Sequence, residues 1–346
     1  MKQKGVCYDV GRVMFGNWRP NYDPKVVHRE LEIIKNDLHC NAVRINGLDI
    51  DRLITTAEDA LQQGLEVWLS PELWDKSPER TLAYIVKAAV GAETLREKWP
   101  EQLIFSLGSE LTLFMQGIVQ GRSFMSQLRN PSLWETIKTG KHNEPLNAWL
   151  AKANSSVRKV FRGSVTYVSL PWEGVDWTLF DFVGIDHYWD ERIKDRYTEM
   201  LKPSFAYGKP VFIGEFGFCT YQGAEKAGGQ AWNIVDYKSM ILHGIPVVGR
   251  FVRPRLNGAY VRDEAMQARE LSNQLNILDA AGVDGAFVFT FVTPRNPYNQ
   301  DPKYDLDMAS YSLVKSYVEG HGRTYPDMTW EPKESFHAVA DYYAEN

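Results

Sequence analysis

Lys209-Pro-Val-Phe-Ile-Gly-Glu215-Phe-Gly-Phe218 decides how the chain is read. Val211, Phe212 and Ile213 form a short apolar, partly β-branched run, with Pro210 before it and Gly214 after it. That pattern predicts a buried strand ending on the carboxylate of Glu215. A buried carboxylate is costly unless it is paired or used. Leu103-Ile-Phe-Ser-Leu-Gly108-Ser109-Glu110 repeats the pattern: an apolar run, a glycine, then a glutamate. The remaining sequence reads as a scaffold that brings Glu110 and Glu215 together.

Working outward, strands and helices alternate. Gly5 to Val10 predicts a first strand. Asp23-Pro24 supplies a helix N-cap and a proline at the first helical position, and Val27, Leu31, Ile34 and Leu38 follow on one helical face. Asn41 to Asn46 predicts the second strand, ending near Arg44, and Asp49 or Asp51 opens the next helix, which Gly64 stops. Leu65 to Ser70 predicts the third strand, closed by Pro71-Glu72, and Ser77-Pro78 opens another helix. After the strand that delivers Glu110, residues 111–142 contain Gly117, Gly121, Pro131 and Gly140 and read as an insertion.

A helix through Leu146, Leu150 and Val157 leads to strands at Val165–Ser169 and Phe180–Asp186. The second of these runs into His187-Tyr188-Trp189. A short helix through Ile193, Tyr197 and Met200 precedes the strand of Glu215. Residues from Gln230 to about His243 read as helical, and Asp263 caps a stronger helix stopped by Gly282. Asp284 to Phe291 is the last strand, and residues 320–346 form a C-terminal extension. Eight strands alternating with helices, with no linker to divide the chain, predict a single (β/α)8 barrel spanning residues 1–346. An open doubly wound sheet is the alternative, but no G-x-G-x-x-G follows the first strand and no P-loop occurs.

Composition narrows the function. The 346 residues are 44% hydrophobic and 24% charged, with a formal charge of -5, which argues against nucleic acid or an anionic membrane surface as the main partner. Aromatic residues reach 13%, enough to supply both a core and a few stacking platforms. Three cysteines, Cys7, Cys40 and Cys219, with no CxxC suggest neither a disulfide framework nor a thiolate zinc site. No stretch of about 18 apolar residues occurs, and no leader is visible, so a cytoplasmic location is the expectation.

The ordered strand-end residues resemble clan A of the glycoside hydrolases, the retaining (β/α)8 glycosidases, from Gly5 to Phe291. The resemblance implies that Glu110, after the fourth strand, is the acid/base and Glu215, after the seventh, the nucleophile. It implies that Arg44 lies beside the nucleophile and that Tyr188, next to His187, hydrogen-bonds it. It implies a carbohydrate substrate and no cofactor. Two positions depart from the clan pattern. Ser109 stands where the clan has an asparagine that binds the sugar 2-hydroxyl, and Phe289 and Phe291 stand where a tryptophan often ends the eighth strand.

In such a reaction one carboxyl protonates the leaving oxygen while the other attacks the anomeric carbon. Glu72 and Asp9 are further strand-end acids, expected to bind hydroxyls or to pair with rim cations. His187 is expected either to contact substrate or to serve as a hydrogen-bonded structural residue. Trp172, Trp189, Tyr221 and Tyr298 lie in loops on the expected catalytic side and are candidates for stacking on sugar rings. His187, Asp190 and Glu191 lack the supporting ligands of a metal site, so none is expected. Competing readings are a catalytically inactive barrel that binds carbohydrate or protein, which turnover separates, and a metal-dependent barrel hydrolase.

Overall fold

A computed structural model describes residues 1–13 and 16–346. Eight parallel strands close into a barrel in sequence order: β1 (Gln3–Asp9), β2 (Ala42–Gly47), β3 (Glu66–Pro71), β4 (Leu103–Ser109), β5 (Ser164–Ser169), β6 (Val183–Asp186), β7 (Val211–Phe216) and β8 (Gly285–Val288), with β8 paired to β1. The (β/α)8 expectation is therefore met. The early helices are α1 (Pro24–Asn36), α2 (Ile50–Gln62) and α3 (Pro78–Arg96). Each starts where its cap residue predicts: the side chains of Asp23, Asp49 and Ser77 accept from backbone N–H groups of the first turn.

Residues 111–142 hold three short helices, α4 (Leu111–Phe114), α5 (Phe124–Leu128) and α6 (Leu133–Lys138). Gly117 and Gly121 take positive φ between α4 and α5, and Gly140 does so just after α6. Leu113, Val119, Phe124 and Leu133 form a small core of their own beneath this segment. Then come α7 (Asn143–Val157), α8 (Lys202–Phe205), α9 (Tyr237–His243), α10 (Glu264–Ala280) and α11 (Glu334–Glu345). A two-stranded antiparallel pair, β9 (Val314–Ser316) and β10 (Trp330–Pro332), precedes α11, which packs along α10.

Four expectations need correction. The helix expected through Ile193, Tyr197 and Met200 is a pair of 3₁₀ turns leading into α8, and the one expected from Gln230 is regular only from Tyr237. In the second case Asp236 accepts from Lys238 and Ser239 N–H, so the helix starts at its cap. β8 ends at Val288; beyond it the Phe289–Thr290 peptide is cis. Arg44 lies in the middle of β2, with Asn46 and Gly47 after it.

The barrel interior is layered. Trp68, fully buried, packs against Phe212 at 4.8 Å and Phe287 at 5.2 Å between ring centroids, closing the lower half. Gly5 makes room for this layer, since a Cβ there would lie 2.3 Å from Phe287 Cδ1. Above it, polar side chains replace apolar ones. Side chains alternate in and out along a strand: Ala42 joins the interior cluster, while Val43 and Ile45 pack outward under the helices.

Both glutamate-bearing strands break this alternation at the same height. On β7, Ile213 pairs with Ile185 and Ala286, but the next pairs are Glu215 with Asp186 and Phe216 with Val288. The strand thus carries one extra residue relative to both neighbours, a β-bulge at Gly214. On β4, Ser106 pairs with Thr166 and Ser109 with Val168, again one extra residue, beside Gly108 at φ 120°. Strict alternation would send Glu215 outward with Val211 and Ile213, which lie in the outer core. The bulge turns it inward instead.

Candidate active site

Three donors converge on Glu215. Arg44 Nη1 lies 3.1 Å from Oε1, Arg12 Nη2 lies 3.4 Å from the same oxygen, and the Tyr188 hydroxyl donates to Oε2 at 3.1 Å. Arg44 has no exposed surface and also reaches Gly214 O at 3.0 Å, Asp186 Oδ1 at 3.3 Å and Ser70 Oγ at 3.3 Å. Burial opposes charge on both guanidinium groups, but the surrounding carboxylates outweigh it and hold Arg12 and Arg44 protonated.

Glu110 is treated differently. It follows β4 directly, at φ 50° and ψ 39°, and is partly exposed. Among the described residues no side chain or backbone group hydrogen-bonds its carboxyl. Burial, and then the carboxylates of Asp186, Glu215, Glu173 and Glu72, push its pKa well above the ordinary carboxylate range. The site therefore holds one carboxylate braced by cations and a phenol, and beside it one that favours its proton.

Asp186, at the end of β6, joins the two sides. Its Oδ1 meets Arg44 and its Oδ2 accepts from the Ser109 hydroxyl at 2.7 Å. Ser109 is thus tied to a neighbouring side chain in the residue position before Glu110. Glu72 accepts from Asn46 Nδ2 at 2.6 Å and lies 3.4 Å from Arg12 Nε and 4.0 Å from Arg44. Asp9 holds Arg12 Nε at 2.9 Å and accepts from the backbone N–H of Gly11 and Arg12. Both acids thus pair with cations. Phe289 packs beside the cluster, its ring 5.0 Å from the Arg12 guanidinium and edge-on to Tyr188.

Other predicted residues lie elsewhere. His187 is buried, stacks on Tyr197 at 4.0 Å and hydrogen-bonds the Tyr197 carbonyl through Nε2 at 2.9 Å; burial lowers its pKa to about 4. Trp172 packs edge-on to His142, and its carbonyl accepts from His142 Nε2 at 3.0 Å. Trp189 packs on Tyr197 and lines a groove with Phe218 and with Gln274 and Ile277 of α10, on the helix side of the barrel. Tyr221 donates to Ala231 O, and Tyr298 lies under Arg262. Asp190 is gripped by Arg192, and Glu191 by Lys194. Among the described residues no group of three or more His, Cys, Asp or Glu is arranged to hold a metal ion.

Sequence reasoning passed over Arg12 and Asp186 as site residues. Asp186 carried a signal, since Val183-Gly184-Ile185-Asp186 ends on an acid as the strands of Glu110 and Glu215 do. Arg12 sits three residues after Asp9 in a loop, where no periodicity aims a side chain.

Comparison with solved structures finds the same barrel fold in several glycoside hydrolases. A complex of a GH113 β-1,4-mannanase superposes with a TM-score of 0.60 at 14% identity, covering 99% of both chains. The GH113 β-mannanase AaManA from Alicyclobacillus acidocaldarius, in complex with ManMIm, gives 0.59 at 14% identity, covering 99% of this chain and 97% of that one. β-Glucuronidase 3 of Bacteroides uniformis gives 0.58 at 14% identity; all of this chain matches 38% of it. The chain shares the barrel fold of these enzymes. No protein-family model matches the sequence, and no curated protein does. No helix among the described residues is long and apolar enough to cross a membrane.

Proposed function

We propose that the chain is a retaining glycoside hydrolase that cleaves a β-glycosidic bond, with Glu215 as nucleophile and Glu110 as acid/base. The observation that carries this reading is the contrast between the two carboxyls: three donors on Glu215, none on Glu110 among the described residues, and Glu110 pushed toward its protonated form by burial and the neighbouring carboxylates. In the first step Glu215 attacks the anomeric carbon while Glu110 gives its proton to the departing oxygen. In the second, Glu110 takes a proton from water, the water oxygen attacks the anomeric carbon, and the bond to Glu215 breaks. Arg44 and Arg12 on one oxygen and Tyr188 on the other hold the Glu215 carboxylate in place, so little reorganisation is needed when charge moves.

Because the mannanases match over the whole chain, β-1,4-mannooligosaccharides head the substrate panel, alongside aryl β- and α-glycosides. Wild type is expected to cleave at least one β-linked member. Glu215→Ala is expected to lose that activity and to regain part of it with azide, giving a glycosyl azide of inverted configuration. Silence of the wild type on the whole panel would transfer the reading to a carbohydrate-binding barrel. Near-normal turnover by Glu215→Ala would remove the role assigned to that residue.

A further inference from the structure

Glu110 occupies the N-cap position of α4, yet its side chain makes no capping hydrogen bond. The first N–H groups of a helix have no partner within it and are ordinarily met by the cap residue's own side chain. Here two other residues meet them. The Tyr167 hydroxyl, from β5, accepts from Leu111 N at 2.8 Å. Glu173 Oε1, from the loop after β5, accepts from Thr112 N at 3.0 Å. Glu173 Oε2 in turn accepts from the Tyr167 hydroxyl at 3.0 Å and from Leu170 N at 2.9 Å. Tyr167, Glu173, Leu111 and Thr112 are all buried, and Glu110 N donates to Val168 O at 3.0 Å.

We infer that Tyr167 and Glu173 are positioning residues that cap α4 in place of Glu110, fixing its left-handed backbone and leaving its carboxyl free to face the cleft. The physical alternative for an uncapped α4 is plain. The Glu110 carboxylate would fold back onto Leu111 and Thr112 N–H and cease to point at a substrate. A carboxylate that accepts from backbone N–H groups at a helix start is stabilised as the anion, so such a Glu110 would also surrender its proton more readily. The charged and titratable groups facing Glu110 are Asp186 from β6, Glu215 from β7, Glu173 after β5 and Glu72 after β3, with the phenols of Tyr167 and Tyr188. All four carboxyls remain in Tyr167→Phe, where Glu173 loses one hydrogen-bond donor.

The inference rests on the acid/base role proposed above, and its test separates the two. Tyr167→Phe and Glu173→Gln are compared with wild type by ¹³C NMR of glutamate-labelled protein. The Glu110 carboxyl is assigned by difference from Glu110→Gln. Glu110 is expected to titrate at lower pH in both variants, with melting temperatures showing that each still folds. A Glu110 titration unchanged in folded Tyr167→Phe overturns the inference, whatever the enzyme does. On whichever aryl β-glycoside the wild type cleaves, kcat/KM should fall about tenfold or more for poor leaving groups, which need the proton. It should fall much less for dinitrophenyl glycosides, which do not. An equal loss on both classes also overturns it. If wild type cleaves nothing, the proposed function fails while the titration still decides the positioning role.

Discussion

Arg44 Nη1 lies 3.1 Å from Glu215 Oε1, and the contact is made from within the barrel rather than from its rim. The same atom lies 3.3 Å from Asp186, so one buried guanidinium serves two buried carboxylates. Removing one partner of a buried ion pair leaves uncompensated charge and costs about 3–5 kcal/mol. Arg44→Gln is therefore expected to lower the unfolding free energy by that amount, seen as a lower denaturant midpoint, and to abolish turnover. An unchanged midpoint would show that the two carboxylates are held by something else.

Asp186 also acts on Glu110, the proposed general acid. After burial, its charge is the strongest influence raising the Glu110 pKa. Burial and the Glu215 charge push the Asp186 pKa up as well, but Arg44 and the Ser109 hydroxyl oppose this, whereas among the described residues no cation pairs with Glu110, so the proton belongs on Glu110. In Asp186→Asn the anion is gone and the Glu110 pKa falls. The alkaline limb of kcat/KM follows loss of that proton, so it should move to lower pH. A limb that stays put, or moves upward, would remove Asp186 from the control of the acid.

Gly214 tests the bulge. A Cβ there would lie 2.4 Å from Val168 Cγ1 and 2.8 Å from Asp186 Oδ1. Forcing extra volume into a packed site costs about 1–3 kcal/mol. Gly214→Ala is expected to lower the melting temperature and reduce turnover together. Adding Val168→Ala should recover part of the stability but not the activity, because the contact with Asp186 remains. Full activity in Gly214→Ala would mean that the bulge tolerates a side chain.

His187 gives a stability prediction free of catalysis. Burial lowers its pKa from 6.5 to about 4, so the folded state prefers the neutral ring. For a group depressed in this way, the stabilising contribution is present above pH 6.5 and is lost as pH falls towards 4. The difference corresponds to about 3 kcal/mol across that window. His187→Asn is expected to be less stable at neutral pH and to lose less on acidification. Parallel stability-versus-pH curves for the two proteins would count against this assignment.

The scaffold was legible because its signals are local. Asp23, Asp49, Ser77 and Asp263 each cap the helix that their position predicts, and apolar runs mark every barrel strand. Gly108 and Gly214 also signalled the ends of the runs before Glu110 and Glu215, but as breaks. Their role as one-residue insertions depends on pairing with the strands on either side, which a single run does not reveal. Arg12 reaches the site from a loop, and Trp172 and Trp189 turn to His142 and Tyr197. Side-chain direction in such loops is set by tertiary contacts. Arg44 was placed one turn of the pleat too near the rim, since nothing in Ala42–Gly47 marks where the polar layer of the barrel begins.

The pairing of β8 with β1 has a kinetic meaning. Gly5 to Asp9 pair with β2, early in the chain, but Gln3 to Val6 pair with β8, which begins only at Gly285. On the ribosome the first strand, carrying Val6, Cys7 and Tyr8, keeps an unsatisfied edge until nearly the whole barrel has been synthesised. Every other strand can dock on the one before it as it appears. Closure is therefore a single late event, and a nascent chain stalled before β8 would present an open, adhesive ribbon in place of a ring.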